Sequence, residues 1–180
     1  MRAFGVCAGL LVMLLASGAG AAAEIGRPDL SKARVLAIAP FADDTYVPPA
    51  LLSWGPRRLK DLLAGTGYQI VAPEDVAAAM KRLGISPRDL VSLTRTVDVG
   101  TAVGADAVLT GRITHAQWEA GRFGIPFGGI GRVDIDVRVL EVATRLKYLQ
   151  DEISCQMPGP LQAALDCVVR NIAGRLTPKP

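Results

Sequence analysis

Residues 131–140 read GRVDIDVRVL, and the order of side chains in this stretch decides the fold. Val133, Ile135, Val137 and Val139 alternate with Arg132, Asp134, Asp136 and Arg138, which predicts a strand with one core face and one solvent face. Downstream, after the turn EVATR, residues 146–155 (LKYLQDEISC) carry a further strand, and a turn this short makes the two an antiparallel pair. Upstream, residues 105–118 (ADAVLTGRITHAQW) read as a third strand of the same sheet.

Earlier in the chain the pattern changes. Val35-Leu36-Ala37-Ile38-Ala39 is apolar without alternation and is ended by Pro40, as in a strand buried on both faces. Pro48-Pro49 opens a helix in which Leu51, Leu52, Leu59, Leu62 and Leu63 share a face opposite Arg57, Arg58, Lys60 and Asp61. Gly65 and Gly67 stop it, and Gly55-Pro56 predicts a kink or a later start. The strand YQIVAP (68–73) follows, then the helix PEDVAAAMKRLG (73–84) with acids in its first turn. Ser86, Pro87 and Asp89 form an N-cap, first-turn proline and capping box for one helix continuing through Leu90, Leu93 and Val97. Leu161, Leu165, Val168, Ile172 and Leu176 give the terminal helix. The predicted order is β-α-β-α-α-β-β-β-α, an α/β sandwich with a mixed sheet: strands joined through helices parallel, those joined by hairpins antiparallel.

The ends of the chain set its compartment. Arg2 precedes an apolar run over about 4–16 and small residues ending in Ala21 and Ala23, which predicts a signal peptide over 1–23 cleaved before Glu24. Cys7 precedes most of the apolar run and lacks a lipobox, so the expectation is an exported, periplasmic and unlipidated protein. A short lead-in (24–33) and a single domain (34–177) follow, with no further run long enough to span a bilayer. The net charge of +3 drops by one with Arg2, and its basic residues are interspersed with acids, which excludes a nucleic-acid footprint. Cys155 and Cys167 remain, and in an exported chain two cysteines read as one disulfide.

Candidate chemistry is sparse. Asp43-Asp44-Thr45, between a strand and a proline-led helix, reads as a turn and cap rather than a metal or acid–base site. Asp134 and Asp136 share a strand face with Arg132 and Arg138, so a solvated ladder of cross-strand charge pairs accounts for them. His115 has no hydrolase motif around it, and GIPFGGIG matches no phosphate loop. No catalytic residue, metal or cofactor is assigned. The glycine-rich stretch 121–131 carries Phe123, Ile125, Phe127 and Ile130, which either form an apolar hairpin tip offered to a partner or a membrane surface, or fold back on the sheet.

ARVLAIAPFADDT (33–45), GYQIVAPEDVAAAMKRLGI (67–85), VGADAVLTGRITHAQ (103–117) and VDIDVRVLEVATRLKYLQ (133–150), in this order, resemble the TolB N-terminal-domain-like superfamily. That group includes CsgG-like curli secretion lipoproteins and LpoB-like activators of penicillin-binding proteins. The shared features are a first strand ending in Pro-Phe, a Gly-Tyr second strand, Gly-Ala-Asp-Ala before the third strand and a closing hairpin. The resemblance implies a non-enzymatic envelope domain that works through protein contacts, with no catalytic residues to carry over. The chain departs from it in lacking a lipobox cysteine, a long linker and the long amphipathic insertions of the curli channel. The expected function is a periplasmic accessory protein contacting outer-membrane or cell-wall machinery through the hairpin tip or a sheet edge, with peripheral membrane contact at most. A small-molecule or lipid-binding module with 121–131 as its lid is the alternative, and an exported hydrolase the third reading.

Overall fold

The computed structural model describes residues 33–120 and 129–177. Phe123, Ile125 and Phe127, and the leader with most of its lead-in, lie outside the described residues. The strands are β1 (Val35–Ile38), β2 (Ala42–Asp43), β3 (Gln69–Val71), β4 (Ala107–Glu119), β5 (Ile130–Glu141) and β6 (Lys147–Pro158). The helices are α1 (Pro49–Leu63), α2 (Pro73–Leu83), α3 (Leu93–Ala102) and α4 (Leu161–Leu176), with a 3-10 helix at Pro87–Val91. The sheet runs β3-β1-β4-β5-β6: β1 is parallel to both neighbours, and β4, β5 and β6 are antiparallel. This is the mixed sheet the connections require.

β1 is buried on both faces. Leu36 and Ile38 join Leu109, Ile113, the four apolar residues of β5, and α1 and α4 in one core, while Ala37 and Ala39 join Val108, α2, Leu90 and Val99 in the other. Val133, Ile135, Val137 and Val139 are all buried beneath α4, as their alternation predicts. The two helical layers are unequal. α1 and α4 cover one face out to β6, whereas α2, the 3-10 helix and α3 pack over the β1–β4 side of the other. Asp106, from the Gly-Ala-Asp-Ala stretch, ties the sheet's start: its Oδ2 accepts the N–H groups of Arg34 and Val35 at 2.8 and 2.9 Å.

Two local expectations are corrected, and one short element is added. α1 runs unbroken through Gly55-Pro56. The proline forfeits one helical hydrogen bond, but both residues are buried, and Gly55 makes room for a ring: a Cβ there would stand 2.9 Å from Phe41. The helix capped by Ser86 does not continue; Asp89 Oδ2 accepts from Ser86 N–H at 2.8 Å, but the 3-10 turn closes at Ser92 and α3 restarts there. Buried Thr96 bridges the joint, donating its hydroxyl to the carbonyls of Leu90 and Ser92. Finally, β2 adds a short strand parallel to β4, with Ala42 opposite Arg112 and Asp43 opposite Ile113.

Candidate protein-contact surface

β4, β5 and β6 span 13, 12 and 12 residues against 4 in β1, so they outrun their neighbours. The last backbone bond that β2 and its turn give β4 is Asp44 N–H to Ile113 C=O at 3.2 Å. Beyond it the three strands continue as a distal ribbon whose end carries large apolar side chains in solvent: Trp118 (55 % exposed), Ile130 (42 %) and Met157 (37 %). Register sets Trp118 and Met157 on either side of Gly131 on one face of the ribbon, while Ile130, between Glu119 and Pro158, lies on the opposite face. The indole occupies the space a side chain at Gly129 would need, with its Nε1 2.3 Å from an ideal Cβ there. Glycine at 129 is therefore a condition for the Trp118 position. Of the four predicted partner-binding residues, Ile130 lies at this exposed end, and the other three belong to the segment joining Ala120 to Gly129.

Sequence reasoning passed over Trp118 and Met157. Their signal was position: both sit at the ends of long strands, next to the glycine-rich stretch.

The polar face of the ribbon is more than a solvated ladder. Asp134 is only 6 % exposed and pairs with Arg132 on its own strand, through Nε at 3.2 Å and Nη2 at 2.9 Å, while accepting the hydroxyl of Ser154 from β6. Cross-strand charge pairing is thus corrected at this position: Arg132 folds over its second neighbour. Burial pushes the Asp134 carboxyl upward, but the Arg132 guanidinium and the Ser154 hydroxyl outweigh it and hold the group below the usual carboxylate range. His115, Asp134 and Ser154 form one row across β4, β5 and β6. The row contains the residue types of a nucleophilic triad in an order that does not activate serine, because the carboxylate sits between hydroxyl and imidazole.

A folded-state value below the unfolded one stabilises the protein above the unfolded carboxyl value, and that stabilisation is lost as pH falls through the folded value. Asp166, which accepts from Arg170 and from Arg58 Nε at 3.0 Å, is lowered in the same direction, chiefly by Arg170. Stability is therefore expected to be level at neutral pH and to fall below about pH 4. In Asp134→Asn, urea melts across that range should show a shallower pH dependence than the parent, and an unchanged slope would exclude Asp134 as a contributor.

Asp43 is a turn residue. Its Oδ1 accepts from Thr45 N–H (2.8 Å) and Thr45 Oγ1 (3.0 Å), and its Oδ2 from Val47 N–H (2.8 Å). Asp44 pairs with Arg112 at 2.6 Å and with Arg88 at 3.9 Å. Among the described residues no three His, Cys, Asp or Glu side chains gather as a metal set. Cys155 is bonded to Cys167, joining β6 to α4 with a Cα–Cα distance of 6.0 Å. A surface groove of about 760 Å³ lies between α2 and the end of α3, lined by Val71, Asp75, Ala78, Lys81, Arg82 and Val103.

No family model matches the chain, and no curated protein matches it. Solved structures do. The lipoprotein GNA1162 of Neisseria meningitidis is 15 % identical with a TM-score of 0.58, over 79 % of this chain and 96 % of that one. The hypothetical protein CT253 of Chlamydia trachomatis is 14 % identical with a TM-score of 0.53, over 79 % and 95 %. PelC of Paraburkholderia phytofirmans, solved as a dodecamer, is 12 % identical with a TM-score of 0.52, over 86 % and 92 %. At these identities the likeness is one of fold, and it extends across nearly the whole of each neighbour.

Proposed function

We propose that this protein is a non-enzymatic accessory protein of a bacterial cell envelope, exported by loss of residues 1–23 and acting through protein contacts at the distal end of β4–β6. The observation that carries this reading is the exposure of Trp118 and Met157 on one face, and of Ile130 on the other, at the far end of β4–β6. Exposed tryptophan and methionine beside a polar rim are the composition of a binding surface, and a core has no use for them there. In this reading Phe123, Ile125 and Phe127, from the glycine-rich stretch between β4 and β5, also take part in partner binding. The fold is shared with a lipoprotein and with a protein that assembles with its own copies, which supports an envelope role built on contacts. The TolB N-terminal-domain-like resemblance, with its CsgG-like and LpoB-like members, points the same way, toward outer-membrane or cell-wall machinery as the partner.

The test is a crosslinking pull-down from the native envelope using parent, Trp118→Asp, Ile130→Asp and, on α1, Asp61→Arg. Parent and Asp61→Arg should capture the same envelope protein and both distal variants should lose it, with melting temperatures unchanged because the altered side chains are half in solvent. The mature N-terminus should be Glu24. Equal capture by all four proteins would remove the role of the distal end.

A further inference from the structure

One edge of the sheet is long and open. Among the described residues the backbone ladder of β6 is with β5, so every second residue along its 12 turns its N–H and C=O away from the sheet. The opposite edge, β3, has only 3 residues. Native edges are blunted by bulges, prolines and charges, and β6 carries each of them at a particular place. The register with β5 shifts between Val139 and Leu140, which leaves Tyr148 as the extra residue near the start, and Pro158, without an N–H, closes the strand. Between these two limits residues 149–157 run in unbroken register, and their midpoint is Ile153.

That stretch reads LQDEISCQM, an order symmetric in character about Ile153. Laid antiparallel beside a second copy about a twofold axis at Ile153, Leu149 faces Met157, Gln150 faces Gln156, Asp151 faces Cys155 and Glu152 faces Ser154. Residues paired in this way share a face of the sheet. Leu149, Ile153 and Met157 meet on the α4 side, and the exposed amides of Gln150 and Gln156 meet on the other, each offering donors and acceptors to its opposite. The acids select this register. An axis at Asp151 or at Glu152 would set a carboxylate directly against its own copy, and an axis at Ser154 would set Asp151 against Met157 over a shorter overlap. The edge is also fixed in advance: the Cys155–Cys167 bond, the Arg175–Asp151 ion pair and the Asn171 Nδ2 hydrogen bond to Cys155 Sγ fasten it to α4. Little ordering is then left for association to impose.

We propose that β6 is a dimerisation edge, at which two copies of this chain pair residues 149–157 antiparallel about Ile153 and join their sheets into one. The two α4 helices lie on the same face of the joined sheet, and the two distal ends point in opposite directions. Trp118, on β4 and two strands in from the edge, stays outside the joint and remains available to an envelope partner.

The test is sedimentation equilibrium of the purified mature protein over a range of concentrations. The parent should weigh as two chains when concentrated and as one on dilution, and its melting temperature should rise with concentration. Gln150→Glu with Gln156→Glu sets acid against acid at two places in the joint and should weaken the dimer by about ten-fold or more. Gln150→Glu with Gln156→Lys sets acid against base at the same places and should restore it. Circular dichroism at high dilution separates loss of the dimer from loss of the fold. A parent that stays monomeric at every concentration, a dimer indifferent to both pairs of changes, or an acid–base protein no tighter than the doubly acidic one would each overturn the proposal. None of these outcomes depends on Trp118 or Ile130, so the distal contact surface stands or falls separately.

Discussion

Phe41→Ala is expected to cost about 3–5 kcal/mol of folding stability, toward the upper end of that range. The ring is buried and wedged between α1 and β4 at two glycines: an ideal Cβ at Gly55 would stand 2.9 Å from it, and one at Gly111 2.8 Å. A cavity collapses when neighbouring side chains lean into it, and here two of the neighbours have none, so the space left by the ring stays open. The converse change, Gly111→Val, drives a branched side chain into Phe41 and into Ile135, whose Cδ1 is 2.9 Å from the same ideal Cβ. Overpacking of that kind costs about 1–3 kcal/mol or more. Urea denaturation with an unchanged m-value would measure both, and a loss below about 1.5 kcal/mol for Phe41→Ala would contradict the wedge.

Removing the Cys155–Cys167 bond is the second large effect. Sequence separation is 12, and a loop of this size implies about 3 kcal/mol on the chain-entropy account. The bond does more than shorten the unfolded chain. β6 is an edge strand whose backbone ladder, among the described residues, is with β5, and the disulfide, beside the Arg175–Asp151 ion pair, ties it to α4 from the side. Asn171 Nδ2 donates both to the Cys167 carbonyl at 3.0 Å within α4 and to Cys155 Sγ at 3.3 Å on β6, so it supports the same tie. Cys155→Ala with Cys167→Ala should therefore lower the melting temperature by roughly 8 °C and accelerate amide exchange in β6 more than in β4. Uniform acceleration through the sheet would show that the bond acts only on the unfolded state.

How far the molecule was legible in its sequence differs by element. The burial of Val133, Ile135, Val137 and Val139 follows from alternation because a period of two admits one assignment of faces. That of Leu36 to Ala39 follows from an apolar run too short for a helix. Asp134 was not legible. Alternation places it on the outer face but cannot show that Arg132 bends over it or that Ser154, twenty residues away, supplies a hydroxyl. The break at Ser92 was hidden for a similar reason, since Leu90 and Leu93 are spaced for one continuous helix as well as for a 3-10 turn followed by another. Gly55-Pro56 looked like a breaker because its compensation, the Phe41 ring, comes from a separate stretch of chain. β2, at two residues, has no period to detect. The contact surface was half visible: Ile130 belongs to a glycine-rich stretch that announced itself, whereas Trp118 and Met157 sit in strands that look ordinary until their length is compared with that of β1.

The proposed partner site at the distal end of β4–β6 is tested most directly by replacing Trp118 with a photocrosslinking amino acid in living cells and comparing it with the same probe at Asp61 on α1, identifying adducts by mass spectrometry. A discrete adduct with one envelope protein is expected from position 118 and none from position 61. Adducts from neither position, or equal adducts from both, would contradict it.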